Sequence, residues 1–582
     1  MAMCYPFNRE FEYQRANNMD YKSAIAKAVA QAAGIDVQEA VQLVEIPADA
    51  SMGDYAFPCF RLAKTLRKAP HAIAQELAAQ IETPPFAAMV KTVGAYINFY
   101  LDKKQFAEDV LREVSVQGEK FGGSEIGAGR VVCIDYSSIN IAKPFHIGHL
   151  STTVIGSALY RIYGFLGYVP VGINHLGDWG TQFGKLITAY KKWGSREEIE
   201  KNAISAMLEL YVRFHDEAKI NESLNEEGRA WFKKIEDGDA EALEIFNWFK
   251  ELTLKEVSMI YDMLGVRFDS YAGESFYNDK MQPIIDELNE KNLLEFSDGA
   301  YIVRLGDELP PCIVLKSDGA TLYSTRDLAA AFYRKKTYGF YKCLYVVAYQ
   351  QNLHFRQWFK IVELMGYDWA KDLEHVAFGM VSLEDGTLST RRGKVVFLQD
   401  VLEKAIEKTR AIIEEKSPGL EDKDTVAKEV GVGAVVFDTL CSARIKDITF
   451  SFDRVLNFDG ETGPYVQYTH ARCASLLRRA ELNFAAVDKE YSALDNTEAF
   501  AAAKLLFGFP DAVRRACEKN EPYLITRHII ELAKAMNRFY YEHRIIDEDK
   551  AKTAARLELA ACVKQTIKTG LWLIGVSAPE RM

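Results

Sequence analysis

The sequence predicts a multidomain α/β protein: a small α+β domain, a doubly wound domain with a helical insertion, and an all-α bundle. Three observations predict it. Between about residues 130 and 381, apolar runs of buried-strand type alternate with helical segments, the cadence of a parallel sheet covered by helices. A strongly helical stretch, residues 195–262, interrupts that cadence. From about residue 398 onward nearly every segment has helical periodicity. A chain of 582 residues has room for such a division, at roughly 100–200 residues per domain.

Taken in order, YKSAIAKAVAQAA (21–33) is an amphipathic helix, residues 71–82 form another, and GAYINFYL (94–101) alternates as a strand. This first domain spans 1–118, and the glycine-rich FGGSEIGAG (121–129) reads as a linker. RVVCIDYSS (130–138) is a buried parallel strand, followed by a helix from about His149 to Phe165. GYVPVGINHLGDWG (167–180) gives a second strand and loop, and KCLYVVAY (342–349) and HVAFGMV (375–381) are two further buried strands. The doubly wound domain thus covers 119–398, and the helical region 399–582.

Composition narrows the function. Hydrophobic residues are 48% and charged residues 26%, ordinary globular values that exclude disorder and collagen-like repeats. No apolar run is long enough to span a membrane, and MAMCYPFNREFEYQ lacks a signal-peptide pattern, so the protein is expected in the cytoplasm. The nine cysteines are widely spaced, which disfavours zinc ribbons and suits buried thiols in a reducing compartment. The net charge of −11 argues against a protein that coats nucleic acid indiscriminately, while residues 451–582 are close to neutral. Neither a P-loop nor a G-x-G-x-x-G motif occurs, which disfavours P-loop enzymes and dehydrogenases.

The strongest motif is Asn140-Ile-Ala-Lys143-Pro-Phe-His146-Ile-Gly148-His149, placed between a strand and a helix. Two imidazoles three residues apart at a helix N-terminus share a side with exposed amides and the positive end of the dipole. Gly148 lets a nucleotide approach the backbone. Such a site can stabilise charge building on phosphate oxygens. The alternative is a pair of capping or core histidines.

In its strand–loop–helix setting, His146-Ile-Gly-His149 resembles the first signature of class I aminoacyl-tRNA synthetases. SSINIAKPFHIGHLSTTVIG (137–156), NHLGDWGTQFGKL (174–186), SDGATLYSTRDLAAAFYR (317–334), FDGETGPYVQYTHAR (458–472) and Arg581-Met582 resemble arginyl-tRNA synthetases along nearly the whole chain. Two departures stand out. Ile139 replaces a usual proline, and the second signature, Lys-Met-Ser-Lys, reads Thr387-Leu-Ser-Thr390. The resemblance implies that Lys143, just before the first signature, compensates for the missing second lysine, while the missing first lysine leaves the role of the loop open. Arg391, Arg392 and Lys394 keep that loop basic, although a solvated charged hairpin would look the same.

The resemblance implies a Rossmann-like catalytic domain that joins L-arginine to the 3′-terminal ribose of tRNA(Arg) through an arginyl-adenylate, with ATP and Mg²⁺. It implies catalysis by Lys143, His146 and His149. ATP would meet His146, Gly148, His149, Gly177, Asp178, Val381, Arg391 and Lys394. Arginine would meet Asp135, Asn140, His175, Tyr323, Asp327 and Gln351. A guanidinium has five donors and no acceptor, so a selective pocket needs a carboxylate and further acceptors. Tyr323 and Asp327, at i and i+4, share a helix face, but a local salt bridge between Arg326 and Asp327 explains that carboxylate equally well. The tRNA would meet Tyr96 and Asn98 in the first domain, and Tyr465, Tyr468, Arg472, Tyr540 (or its neighbour Tyr541) and Met582 in the last. Core packing explains the stripe Tyr465–Tyr468–Arg472 as an alternative. The implied state is a monomer, the family default. Three rivals stay open: another class I synthetase, a small-molecule adenylyltransferase, and a tRNA-binding paralogue without ATP chemistry.

Overall fold

The computed structural model describes residues 20–141, 143, 145–383 and 396–582. The chain divides into two compact units. One gathers Met1–Gly118, Leu476–Phe507 and Lys534–Val563; the other gathers Glu119–Ser475, Gly508–Ala533 and Lys564–Met582.

In the first unit, helix Tyr21–Ala33 packs Ile25, Ala26 and Val29 inward and is capped by Asp20, whose carboxylate accepts from the Ser23 amide. A three-stranded antiparallel sheet has Tyr96–Leu101 at its centre, flanked by Tyr55–Pro58 and Ala87–Val93. Helix Lys103–Gln117 adds Phe106, whose ring packs on Phe500 with centroids 5.4 Å apart.

The second unit is built on a four-stranded parallel sheet in the order Leu373–His375, Lys342–Tyr345, Val131–Asp135, Val169–Ile173. From Val131–Asp135 the chain first adds Val169–Ile173 on one side and later Lys342–Tyr345 on the other. The order therefore reverses between Val131–Asp135 and Lys342–Tyr345, and the crevice beyond their carboxyl ends is where such sheets bind ligands. Asp135 and Tyr345 end these two strands in register. Helices Met281–Glu290, Tyr323–Tyr338 and Asn352–Leu364 cover one face with Ile284, Leu288, Leu328, Ala331, Trp358 and Ile361.

Three helices, Arg196–Ile220, Ser223–Glu236 and Ala240–Leu264, make the expected insertion. Ser195 and Asp239 cap the first and third through their side chains. Two features were not legible in the sequence. Residues 295–316 form a small antiparallel sheet of Glu295–Ser297, Ala300–Val303 and Cys312–Lys316. HVAFGMV, expected as one strand over 375–381, is divided: Leu373–His375 closes the parallel sheet, and Val381–Leu383 pairs instead with Ile448–Phe450. The stretch Val376–Gly379 between them is apolar and as buried as a strand, so hydrophobicity alone could not show the break. Among the described residues every cysteine is unpaired, and all but Cys441 are buried.

Candidate active site

The site begins where the chain leaves strand Val131–Asp135. Ser137 and Ser138 both take left-handed backbone angles, φ of 70° and 30°. Each costs about 1–3 kcal/mol unless the surroundings hold it. Here they do. The Ser137 amide donates to Thr152 Oγ1 at 3.0 Å, and its hydroxyl bonds Thr153 and Tyr261 at 2.9 and 2.8 Å. Ser138 Oγ donates to Asp135 Oδ1 at 2.6 Å. The sharp exit turns the chain into a short 3₁₀ turn, Ile147–His149, that runs into helix Leu150–Phe165. Gly156 lets that helix lie against Tyr136: a Cβ there would fall 2.2 Å from the ring.

The two imidazoles face each other with centroids 4.0 Å apart. His146 Nδ1 accepts from the Gly148 amide at 3.1 Å, and His149 Nδ1 accepts from the His146 amide at 3.3 Å. Burial lowers the pKa of His146, and burial with the neighbouring His146 and Lys143 pushes His149 down to about 3. Both rings are therefore neutral at pH 7. Because each Nδ1 is an acceptor, the proton of each ring sits on Nε2. The pair offers two N–H donors without formal charge. Lys143, three residues before His146, is partly buried; its pKa is lowered by burial, against a pull upward from Glu274.

The segment after the second signature is tied to this turn. The Ile147 amide donates to Val396 O at 3.3 Å, and the Leu398 amide to Phe145 O at 2.9 Å. Val381 is buried in the strand preceding that loop. Thr387–Thr390, Arg391 and Lys394 lie outside the described residues.

On the other side of the crevice, helix Tyr323–Tyr338 begins at Tyr323, which is 70% exposed, with Asp327 one turn on. The start of the helix is pinned by Ser324 Oγ, which donates to Ile313 O at 2.6 Å. Arg326 does not pair with Asp327. It faces Glu274 at 3.4 Å, while Asp327 Oδ2 accepts from His354 Nε2 at 2.6 Å. His354 stands three residues beyond Gln351, which is exposed at the head of helix Asn352–Leu364. Glu274 is pushed up to about 7, by burial first and then by Asp327 and Asp178, against the pull of Arg326 and Lys143. The neighbouring carboxylates thus raise the cost of charging Glu274, a cost that an added guanidinium relieves.

The loop after strand Val169–Ile173 is stitched to the turn after Asp135. Ile141 N donates to Gly177 O at 3.1 Å and Gly177 N to Ile139 O at 2.8 Å. A Cβ on Gly177 would lie 2.3 Å from Asn140 Oδ1, so a side chain there would displace the Asn140 amide. Asn140 itself is exposed. Asp178 is fully buried, where it accepts from the Ser275 amide and hydroxyl at 2.9 and 2.8 Å and pairs with Lys250 of the helical insertion. Its carboxylate holds the loop in place. Asp135 Oδ2 meets the buried Arg334 at 2.8 Å, and Arg334 also reaches His175 Nδ1 at 3.3 Å.

Glu274, His354 and Arg334 escaped the sequence reading. GESFY (273–277) has no periodicity to mark it, and Arg334 sits in a basic run with Lys335 and Lys336 that reads as surface. A signal was present for Arg334: it lies at i+7 from Asp327, on the same helix face.

Residues 111–452 match the family of class I tRNA synthetases (R), catalytic domain; residues 466–582 match the DALR anticodon binding domain, and 19–101 the arginyl tRNA synthetase N terminal domain. The chain is 53% identical over 567 residues to an arginine–tRNA ligase of Alkaliphilus metalliredigens, covering 97% of this chain and 100% of that protein. The chain belongs to the arginyl-tRNA synthetase family. It is likewise 53% identical over 565 residues to the arginine–tRNA ligase of Clostridioides difficile, with the same coverage. Among solved structures, the arginyl-tRNA synthetase of Thermus thermophilus superposes with a TM-score of 0.79 at 26% identity, covering 97% of this chain and 100% of that one.

The enzyme's tRNA candidates lie in both units. On helix Gly463–Arg479, Val466, Gln467 and His470 are buried, whereas Tyr468 is exposed with the Arg472 guanidinium 4.8 Å from its ring centre; Tyr465 is partly buried. The stripe is a surface feature and not core. Met582 packs against the cluster of Ile413, Val426, Ala427 and Val430. In the other unit, Tyr540 lies near the end of helix Tyr523–Glu542, beside the more exposed Tyr541. Tyr96 opens the central strand of the three-stranded sheet. Asn98, two residues on, is fully buried with neither amide atom hydrogen-bonded.

Proposed function

We propose how this chain's residues divide the work of attaching L-arginine to the 3′-terminal ribose of tRNA(Arg) at the expense of ATP. Arginine lies in the crevice with its guanidinium toward Asp327, Glu274 and Tyr323, and its backbone end toward Asn140, Asp135, His175 and Gln351. The arginine carboxylate attacks the α-phosphate of ATP and pyrophosphate leaves. The 2′-hydroxyl of the terminal ribose then attacks the adenylate carbonyl and AMP leaves. No covalent enzyme intermediate is involved, so catalysis is positioning plus electrostatic stabilisation.

The observation that carries this reading is the opposition of hydrogen-bond donors and acceptors across one crevice. Neutral Nε2–H groups of His146 and His149 suit phosphate oxygens, whose charge grows during attack. The carboxylates of Glu274 and Asp327 suit a planar cation. Gly148 and Gly177 leave room for the nucleotide, and Val381 flanks it. Among the described residues no cluster of three or more His, Cys, Asp or Glu could hold a metal. Mg²⁺ would enter with the phosphates of ATP.

Residues 1–118 contact the tRNA body, 119–398 perform the chemistry, and 399–582 contact the stem and anticodon. The exposed Tyr468–Arg472 pair supports base stacking in the last of these. The enzyme works as a cytoplasmic monomer. Among the described residues no helix is long and apolar enough to cross a membrane.

Amino-acid-dependent pyrophosphate exchange tests the assignment. Arginine alone among the amino acids is expected to support exchange, and only with tRNA present. Exchange with another amino acid, or without tRNA, overturns the corresponding half. For the tail, Tyr465→Ala or deletion of Arg581-Met582 is expected to weaken charging of intact tRNA more than of an anticodon-less minihelix. One lost stacking contact costs about 1–3 kcal/mol, roughly a ten- to hundredfold loss. Equal losses on both substrates would point to damage in the bundle instead.

A further inference from the structure

Beneath the arginine pocket lies a charge that none of the proposed steps uses. The Arg334 side chain is 1% exposed. Its Nη2 is 2.8 Å from Asp135 Oδ2 and 3.3 Å from His175 Nδ1, and its guanidinium carbon lies 5.4 Å from the centre of the Tyr345 ring. Among the described residues its Nε and Nη1 make no hydrogen bond of normal geometry, although the guanidinium lies close enough to the Tyr277 hydroxyl to lower its pKa against the rise caused by burial. Such a pair is poorly explained by stability. Two desolvated ions with unused donors gain little over well-packed apolar side chains of similar volume. Their place is telling: Asp135 ends the central strand at the switch point, and Arg334 comes from the helix that carries Tyr323 and Asp327.

We propose that Arg334 is a positioning residue for arginine recognition, fixing Asp135 as a carboxylate acceptor and His175 as an Nε2–H donor. This rests on the reading of Asp135 and His175 as pocket residues. The argument is one of donor and acceptor count. A guanidinium can only donate, so the His175 Nδ1 it faces must carry a lone pair, and a neutral ring then holds its proton on Nε2. The groups acting on His175 from the surrounding elements are Asp135, Arg334, Asp327 and Asp178, and the Tyr277 ring lies against it with centroids 5.4 Å apart. Burial and Arg334 push its pKa down; the three carboxylates pull it up. Without Arg334 one of the two influences that hold His175 neutral is lost, and Nδ1 is free to take a proton and turn it to Asp135, which among the described residues keeps only Ser138 as a donor. A cation there competes with the substrate's α-ammonium for the Asp135 carboxylate.

The test is steady-state kinetics of the full-length enzyme between about pH 5.5 and 8.5, spanning the ordinary histidine range. Arg334→Gln is expected to raise the arginine KM about ten- to a hundredfold, the range for losing a hydrogen bond to a charged group, with kcat and the ATP KM moving less. It should also add an ionisation to kcat/KM for arginine, falling as pH drops, that disappears in the Arg334→Gln/His175→Ala double variant. Arg334→Lys, a donor without an acceptor, should remove that ionisation and recover part of the affinity. A wild-type pH profile and arginine KM in Arg334→Gln, whatever its melting temperature, overturns the proposal. His175→Ala with an unchanged arginine KM overturns the pocket reading itself. Should Arg334→Gln fail to fold, ¹⁵N-histidine spectra of the wild-type enzyme, with His175 assigned from the His175→Ala spectrum, decide the matter. An Nε2–H signal that does not titrate across this range is expected; an Nδ1–H tautomer, or titration near 6.5, overturns the proposal.

Discussion

Lys143→Ala is expected to lower kcat for arginine-dependent pyrophosphate exchange by about 10²–10³, the scale for deleting one preorganised transition-state donor. The KM values for arginine and ATP should move far less, because the interaction strengthens as pyrophosphate departs. The reason begins with the missing lysines: Thr387-Leu-Ser-Thr390 stands where the second class I signature carries two. The two imidazoles do not make up the deficit. Both are held neutral, and His149 in particular is pushed down to about 3, so neither supplies a formal charge at working pH. Lys143 lies close enough to His149 and to Glu274 to perturb both. An ammonium on a flexible stem can follow a moving pyrophosphate from that position. Arg391→Ala and Lys394→Ala, which fall outside the described residues, should be milder. Near-normal kcat in Lys143→Ala, combined with abolished kcat in either loop variant, would show that the loop carries its own catalytic cation.

Asp327→Ala is expected to raise the arginine KM by about one to two orders of magnitude and to leave the ATP KM nearly unchanged. A hydrogen bond to a charged group contributes about 1.5–3 kcal/mol, and the substrate guanidinium would lose one of its two carboxylates. A second readout follows from Glu274, whose pKa is pushed up to about 7. Its neutral form predominates below that value, and a bound guanidinium favours the ionised form. Arginine binding then requires release of a proton below about pH 7, so in the wild-type enzyme the arginine KM should rise as pH falls through that region. Above it the KM should be flat. In Glu274→Gln the slope should vanish. An Asp327→Ala enzyme with normal arginine KM would instead confine Asp327 to its observed partner, His354, as a tie between two helices.

Chemistry was more legible in the sequence than architecture. His146, Gly148 and His149 are contiguous, and a contiguous motif carries its own geometry once a strand precedes it and a helix follows. Tyr323 and Asp327 are one helical turn apart, so their shared face could be read directly. The break inside HVAFGMV could not, because a buried strand end and a buried bridge have the same composition. The tyrosines of the tail illustrate the same limit. The spacing of Tyr465, Tyr468 and Arg472 shows one face but not which side of the helix meets solvent. The burial of Gln467 and His470 settles it.

By itself the sequence determined the family, the reaction, the strand–turn–helix setting of the two imidazoles and the shared face of Tyr323 and Asp327, because each is written in residues one loop or one helical turn apart. Only the tertiary structure decided which partner each charge has. Arg326 turned to Glu274 and not to its neighbour Asp327, Asp327 was left to His354, Asp178 was buried with Lys250 and Ser275, and Asp135 was joined to Arg334. These pairs span between 27 and 199 residues of sequence, from Asp327–His354 to Asp135–Arg334. The physical reason is that a charge leaves water only where an opposite charge or a donor is brought to it. Which one arrives depends on how strands and helices far apart in the chain meet at the sheet's switch point, and local periodicity holds no record of that meeting.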